Sequence, residues 1–183
     1  MTIFPLGLKI YLSSSVGFIF SMDRDSLLSK LLSSFEHYYT IEKENPTPPF
    51  NAEAEFSAHG EQYMLVKIAK IADMDSKDYA YFKIEDNLSL ERLQELSRIA
   101  WNSGIAKVIP YSGHRNSDVT LVILAEKVNP SVIKQIKKIK FYKSYKFSFW
   151  GWSHFRLVVK EISSNKVYFN RFGSDLKKVL INI

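Results

Sequence analysis

The stretch FYKSYKFSFWGWSHFRLVVK, from Phe141 to Lys160, combines the densest aromatic run of the chain with its sharpest turn signal. Apolar and polar residues alternate before Gly151 and again after it, as on strands with one buried face. The stretch therefore predicts a β-hairpin that turns at Trp150-Gly151-Trp152 and has one basic face. The apolar face of this hairpin would carry Phe141, Tyr145, Phe147, Phe149, Phe155, Leu157 and Val159.

Alternating patterns elsewhere predict the remaining strands of a sheet. The most regular alternation covers Phe50–Ala58, and a turn at Gly60-Glu61 separates it from a second predicted strand. Consecutive strands with short links favour an antiparallel meander. A later run, Val119–Ala125, is apolar on both faces, which is typical of a central strand. The other predicted strands are Gln62–Ala72, Tyr79–Ile84 and Lys166–Asn170.

Four segments have the apolar spacing of helices that pack on a sheet. In the first, leucine and aromatic residues follow Asp25, a predicted N-cap, as far as Tyr39. The second is capped by Asn87 or Ser89 and is predicted to end at Gly104. The other two predicted helices are Pro130–Lys140 and a short closing helix at Leu176–Ile183.

These patterns predict an α+β fold, a single domain with one mainly antiparallel sheet of about six or seven strands packed by three or four helices. At 183 residues the chain is long enough to bury a sizeable core. Its contents of 46% hydrophobic and 24% charged residues are ordinary for a globular protein. Because the chain contains no cysteine, disulfides, thiolate metal sites and a cysteine nucleophile are excluded.

The first 22 residues are mainly apolar and precede an abrupt change to charged residues at Asp23. Pro5, Gly7 and a serine run interrupt them, so a membrane-spanning helix is not expected. A signal peptide is a poor match, because Lys9 is the only cation and no small-residue cleavage site follows. We favour Met22 as the true start, and predict a cytoplasmic domain over residues 23–183 after an extension that is a misassigned start or a weak signal or anchor.

Positive charge is concentrated in the second part of the chain. The net charge is +6, yet residues 1–103 hold more acidic than basic residues, whereas residues 104–183 hold 15 Lys or Arg against 4 Asp or Glu. This asymmetry is typical of a surface for an anionic partner, of a solvated face, or of faces that neutralise one another within or between copies. The predicted anion-binding patch consists of Lys134, Lys137, Lys138, Lys140, Lys143, Lys146, Arg156 and Lys160.

No motif identifies a catalytic or cofactor site. Neither a Walker-type loop nor G-x-G-x-x-G occurs, and Asp73, Asp75 and Asp78 lack the glycine and glutamate of a calcium loop. The aromatic strand of RNA-recognition modules is faintly similar to Lys143–Phe149, but its rings are expected on the core face. No cofactor and no metal site are predicted, since metal-like spacing is absent among the histidines, which are His37, His59, His114 and His154.

A metal-dependent nuclease would need carboxylates that hold Mg²⁺ near a lysine. The acid-x-Lys pattern occurs only at Asp75-Ser76-Lys77, in a predicted loop, and at Asp175-Leu176-Lys177, which opens a predicted helix. A site would also become plausible if three histidines converged on carboxylates, and we expect no such convergence. The histidines concerned are His59, His114 and His154, and the carboxylates are those of Glu53, Glu55 and Glu61.

Several segments together resemble a family of uncharacterised bacterial proteins that is known only as a domain of unknown function. They are HYYTIEKE from His37, GEQYMLVKIAKIA from Gly60, the loop Pro110–His114, and KKIKFYKSYKFSFWGW from Lys137, followed by Arg156-Leu157. The similarity extends from about Tyr38 to the C-terminus. It implies one α+β domain and carries no activity or catalytic residues.

The sequence thus favours a non-enzymatic binding or interaction module whose basic half contacts a nucleic acid or another polyanion, or a second copy of the chain. The alternative is a metal-dependent nucleic-acid enzyme. A pocket with several carboxylates and a His or Lys would favour the enzyme, whereas an open basic surface would favour binding.

Overall fold

The structure is a computed structural model of the chain, and it describes residues 24–56 and 76–183. The first described segment is helix α1, residues 24–35. The elements that follow are β1 (Tyr39–Glu42), β2 (Ala52–Phe56), β3 (Ser76–Leu88), α2 (Leu90–Lys107), β4 (Asn116–Val128), α3 (Pro130–Ile136), β5 (Tyr142–Ser144), β6 (Trp152–Glu161), β7 (Lys166–Phe169), a 3₁₀ helix (Arg171–Leu176) and α4 (Lys177–Ile181).

The seven described strands form one mixed sheet in the order β1-β2-β3-β4-β6-β5, and β7 also pairs with β6. The outer pairs are antiparallel, but β3 with β4 and β4 with β6 are parallel. The α+β class, the strand number and the four helices are confirmed, whereas the mainly antiparallel sheet is wrong. The reason is that α2 and α3 each carry the chain back across the sheet, so the next central strand runs in the same direction as the last.

The sheet lies between two apolar cores. On one side α2 and α3 pack against residues such as Tyr81, Leu121 and Leu157. On the other side α1 and α4 pack against residues such as Val122 and Val158. Both faces of the central strands are therefore buried, as the doubly apolar run within β4 predicted.

The predicted hairpin is present as the antiparallel pair β5–β6, but β5 has only three residues and a loop covers residues 145–151. Tyr145 is buried, whereas Phe147 and Phe149 are 95% and 83% exposed. Their predicted place on the apolar face is wrong. The backbone explains the difference, because Lys146, Phe147 and Ser148 have φ angles of 44°, 53° and 71°. The chain therefore coils in a left-handed turn, and the alternation of a strand is lost.

Three predicted helix ends are also corrected. Helix α1 ends at residue 35, and Tyr39 begins β1 instead. Gly104 lies inside α2, where a Cβ atom would come within 2.6 Å of Val119, so this glycine permits close packing and does not end the helix. Helix α3 ends at Ile136, four residues before its predicted end. Ser89 does cap α2, and its side chain accepts a hydrogen bond from the backbone N–H of Arg92 at 3.1 Å.

One predicted strand, Gln62–Ala72, lies outside the described residues, as do the turn before it, the residues His59 and Glu61, and the whole N-terminal extension. The boundary between that extension and the domain stays a prediction.

Candidate binding surface and buried charge cluster

A row of polar side chains crosses the sheet close to the amino-terminal ends of its parallel strands. Asp78, Asp118 and His154 are each the third residue of their strands β3, β4 and β6, and they are direct neighbours in the register. Tyr142 of β5 continues the row beside His154. Strand periodicity places the next residue of β6 on this face at Arg156. These strands therefore bring the carboxylates of Asp78 and Asp118, which are 40 residues apart in the sequence, next to the ionisable groups of β5 and β6.

Arg156 lies between the two carboxylates. Its Nη1 donates to Oδ2 of Asp78 at 3.1 Å, and its Nε is 3.2 Å from Oδ2 of Asp118. The hydroxyl of Tyr39 donates to Oδ2 of Asp78 at 2.8 Å, and Oγ1 of Thr120 donates to its Oδ1 at 2.9 Å. We call Tyr39, Asp78, Asp118, Thr120 and Arg156 the charge cluster. Both oxygens of the buried Asp78 are thus hydrogen-bonded, which offsets the cost of burying a carboxylate.

Burial and the mutual attraction of the charges both shift the pKa values in this cluster. It raises the pKa of Asp78 above the ordinary value, although the attraction of Arg156 opposes the shift. Burial also raises the pKa of the Tyr39 phenol, and the negative charge of Asp78 adds to that effect, so the phenol stays a donor. For Arg156, burial by itself lowers the pKa, but the carboxylates of Asp78 and Asp118 outweigh it and the net shift is upward. The guanidinium is therefore charged, and it contacts both carboxylates through Nη1 and Nε.

His154 borders the cluster without a strong bond to it. Its Nδ1 is 3.8 Å from Oδ1 of Asp118, which is beyond hydrogen-bond distance. The imidazole stacks on Phe172 with a 4.2 Å centroid separation and also faces the ring of Tyr142 at 5.4 Å. The contacts around this histidine are therefore mainly aromatic.

The charge cluster is poorly suited to a metal ion, because Arg156 occupies carboxylate oxygens that a cation would need. In residues 24–56 and 76–183, no group of three or more His, Asp or Glu side chains is arranged to hold a metal. Glu53 pairs with Lys107 at 3.0 Å, and Glu55 lies 3.7 Å from Lys77. The structure thus assigns these two glutamates to cations on the surface.

His114 has a different role, because it joins two loops. Its Nδ1 lies 2.8 Å from the carbonyl oxygen of Trp150, and its Nε2 lies 2.8 Å from Oγ of Ser117. A carbonyl can only accept, so Nδ1 carries the proton and donates to it. The backbone N–H of Trp152 donates to the carbonyl of Arg115 at 3.0 Å. The loop before β4 and the loop before β6 are therefore held together as one unit.

The structure divides the predicted anion-binding patch. Arg156 lies inside the charge cluster, and Lys160 is 3% exposed and donates from Nζ to the carbonyl of Leu180 at 2.8 Å. Burial lowers the pKa of Lys160 below its ordinary value. Neither residue faces Lys146, so their predicted place across the hairpin from it is wrong. Both faces of β6 are packed against other elements, so on the face away from Leu157 Lys160 is buried and Arg156 is half-buried.

The other six cations of the patch are exposed. They follow the chain from α3, through β5, into the loop 145–151. None of them forms an ion pair with a carboxylate in the described part of the chain. The sequence from Lys127 to Lys160 contains no Asp or Glu, so no acid within this run neutralises them. We call this set the lysine series; it consists of Lys134, Lys137, Lys138, Lys140, Lys143 and Lys146.

The lysine series ends in a loop with a defined backbone. Tyr145 N–H donates to the carbonyl of Gly151 at 2.9 Å, and Trp150 N–H donates to the carbonyl of Tyr145 at 3.1 Å. The ammonium of Lys146 lies 3.6 Å from the centroid of the Trp150 ring, which is cation–π geometry. Gly151 has a φ of 77°, and a Cβ atom there would lie 2.0 Å from the carbonyl oxygen of Arg115. Only glycine fits at this contact between the two loops.

Exposed apolar side chains are concentrated at the end of the sheet where β4 and β6 begin. Among the described residues, seven large hydrophobic residues are exposed, and all but Ile181 lie in the loop before β4, in β5, in the loop 145–151 or at the start of β6. Reasoning from the sequence missed the exposure of Phe147 and Phe149. No local pattern predicts this exposure, because Lys, Phe and Ser rarely adopt positive φ. The six exposed hydrophobic residues at this end of the sheet are Ile109, Tyr111, Tyr142, Phe147, Phe149 and Trp152.

Among the helices in the described residues, none has the length and apolar character that crossing a membrane requires. A cytoplasmic location stays a prediction. A family model described as Domain of unknown function (DUF8052) matches residues 23–182 of the chain. No curated protein and no solved structure matches it. The resemblance to a family of unknown function is confirmed, and a bacterial origin stays a prediction.

Proposed function

The chain belongs to the family described as Domain of unknown function (DUF8052), a description that names no activity, and we therefore propose a function from its exposed surface. We propose that the chain is a non-enzymatic module that binds a polyanion. The observation that carries the proposal is the lysine series, six exposed ammonium groups within 13 residues that no described carboxylate neutralises. Unpaired like charges repel one another, and an anionic partner relieves that repulsion.

The chemistry of lysine defines the kind of recognition. An ammonium is a compact point charge that contacts phosphate, sulfate or carboxylate groups without the planar two-bond geometry of arginine. Arginine would be needed for strong reading of base edges, but the predicted patch contains only one arginine, Arg156, which pairs with Asp78 and Asp118. Binding through the lysine series is therefore governed by charge density, and we expect it to weaken steeply with salt as counterions are released.

The test is a titration of labelled heparin, single-stranded DNA and duplex DNA at low and at near-physiological salt. Affinity for heparin should be salt-sensitive and should fall at least about tenfold in the variant Lys137→Glu, Lys138→Glu, Lys146→Glu. A matched control, Lys30→Glu, Lys127→Glu, Lys178→Glu, changes the net charge equally at exposed positions outside the series, and it should retain most of the affinity.

Three outcomes would overturn the proposal. If the parent binds neither these three polyanions nor anionic vesicles, or if the two triple variants lose affinity equally, the lysine series is a solvated face and not a site. Cleavage of the labelled DNA when Mg²⁺ or Mn²⁺ is added, lost on chelation, would instead favour the metal-dependent nuclease.

A further inference from the structure

We propose that the polyanion is an anionic lipid bilayer, and that Phe147 and Phe149 insert into its interfacial region while the lysine series contacts the headgroups. This inference rests on the proposed function and specifies the partner. It starts from two phenylalanine side chains that are 95% and 83% exposed, at the end of a series of exposed lysines. Fully exposed phenylalanine forgoes the favourable burial of a large apolar surface, so a partner that covers it gains that term.

The exposure is built into the fold. The loop keeps three consecutive non-glycine residues, Lys146, Phe147 and Ser148, at positive φ. The hydrogen bond from Phe149 N–H to the carbonyl of Lys146, at 3.0 Å, closes the turn. The ammonium of Lys146 also contacts the ring of Trp150, at the end of the same turn. Left-handed backbone at such residues persists only where the surroundings determine it, and it is found at ligand contacts. The two rings are thus held outward before any partner arrives.

The side chains around the loop fit the layers of a bilayer surface. Tyr142 and Trp152, which are 51% and 37% exposed, have the amphipathic rings that favour the headgroup level. The ammonium groups of Lys140 and Lys143 would lie among anionic headgroups, since both residues are exposed and close to the loop in the chain. Apolar rings at the tip, with cations and amphipathic aromatic residues behind them, are the arrangement of interfacial membrane binding.

A nucleic acid fits the same residues less well. Single strands bind in basic grooves, where bases stack on the faces of aromatic rings. Here the two phenylalanines project from a loop, and their near-complete exposure shows that no groove encloses them. A bilayer accepts a protruding loop and buries both rings at once. A second copy of the chain would cover the loop only if it offered an apolar recess of matching shape.

The experiment is flotation of the full chain with vesicles of phosphatidylcholine alone and of phosphatidylcholine mixed with phosphatidylserine. The parent should bind the anionic vesicles selectively. The variant Phe147→Ser, Phe149→Ser should lower the partition coefficient at least about tenfold, because two rings no longer leave water. The variant Phe147→Trp, Phe149→Trp should retain binding, and its tryptophan fluorescence should shift to the blue and be quenched by lipids with brominated acyl chains.

Two comparisons keep the result specific to the loop. Ile181→Ser removes another exposed apolar side chain, on α4, and should leave vesicle binding unchanged. The serine double variant should keep the circular dichroism and thermal midpoint of the parent, because the two rings pack on nothing in the core. If it floats with anionic vesicles as well as the parent does, the loop does not insert and the inference is wrong.

The outcomes separate this inference from the proposed function. If heparin binds and depends on the lysine series, but anionic vesicles do not bind, the polyanion function stands and the bilayer is the wrong partner. If the serine double variant loses affinity for single-stranded DNA and not for vesicles, the rings stack on bases. If the parent is a dimer that this variant dissociates, the loop contacts a second copy. Each of the last two results overturns the inference.

Discussion

The charge cluster and the loop 145–151 lie at the same end of the sheet and depart from the usual distribution of side chains in opposite directions. The cluster buries Asp78 and half-buries its partner Arg156, whereas the loop leaves Phe147 and Phe149 in solvent. The buried charges are paired and hydrogen-bonded to one another. The exposed rings have no such support from the fold. This difference is the reason that we propose an outside partner for the loop and none for the cluster, whose polar groups contact one another.

The largest expected effect comes from removing the cation of the cluster. Arg156→Met leaves the buried carboxylate of Asp78 and the half-buried carboxylate of Asp118 without their counterion, which should lower the free energy of unfolding by about 3–5 kcal/mol. Urea denaturation at neutral pH measures this change. Adding Asp78→Asn and Asp118→Asn should restore much of the loss, because the unpaired charges cause it. A loss below about 1 kcal/mol for Arg156→Met would mean that water already reaches the cluster.

The next effect concerns the contact that fixes the loop. Gly151→Ala combines a left-handed backbone with a Cβ atom 2.0 Å from the carbonyl oxygen of Arg115, and we expect a loss of about 1–3 kcal/mol in the free energy of unfolding. Ser148→Gly, at a φ of 71°, should have the opposite sign or no effect, because glycine relieves the strain there. Thermal denaturation of both variants tests the pair. Equal stability of Gly151→Ala and the parent would show that the two loops separate freely.

Asp78→Asn should reveal the sign of the pKa shift through the pH dependence of stability. Burial raises the folded pKa of Asp78 above its ordinary value of 3.8, so the folded parent binds more protons than the unfolded parent. This contribution to stability is complete below pH 3.8 and is lost as the pH rises through the folded pKa. The variant lacks the titration.

The difference in unfolding free energy, variant minus parent, should therefore increase as the pH rises from 3.8 and then level off. Each unit of pKa shift is worth about 1.4 kcal/mol of that difference. Urea denaturation at a series of pH values measures it. A difference that falls with rising pH would show that Arg156 dominates over burial and that the folded pKa is lowered.

The smallest effect is expected for the exposed rings. Phe147→Ser with Phe149→Ser should change the free energy of unfolding by no more than about 0.5 kcal/mol, as surface substitutions usually do. Chemical denaturation of this variant and of Arg156→Met measures both changes in the free energy of unfolding under the same conditions. A loss of several kcal/mol would place the rings in the core and would end the contrast between the two regions.

Much of the fold follows from patterns within short segments. The apolar spacing of Leu31, Leu32 and Phe35 predicted α1, and the two candidate caps Asn87 and Ser89 predicted the start of α2 to within two residues, because helix periodicity and capping depend on near neighbours. The direction of the central strands did not follow. A strand pattern is the same for parallel and antiparallel pairing, and the choice depends on how α2 and α3 return the chain.

The candidate site was predicted in part. The exposure of the lysine series agrees with the sequence pattern, because six lysines lie within a short helix, a short strand and the loops around them. Arg156 and Lys160 belong to the same basic run, and yet Lys160 is buried and Arg156 is half-buried between two carboxylates. Their fate depends on Asp78, on Asp118 and on the packing of α4 over β6. None of these is near Arg156 in the sequence, so no local pattern could assign it.

The sequence by itself determined the positions of most helices and strands, the missing cysteine chemistry and the excess of positive charge after Gly104. The tertiary structure decided which cations are buried and which aromatic rings are exposed. The physical reason is that alternation reports which residues share a face of a strand, but not whether a helix covers that face. The left-handed turn at Phe147 occurs in a loop that contacts a distant segment of the chain. One such contact joins His114 and Trp150, which are 36 residues apart in the sequence.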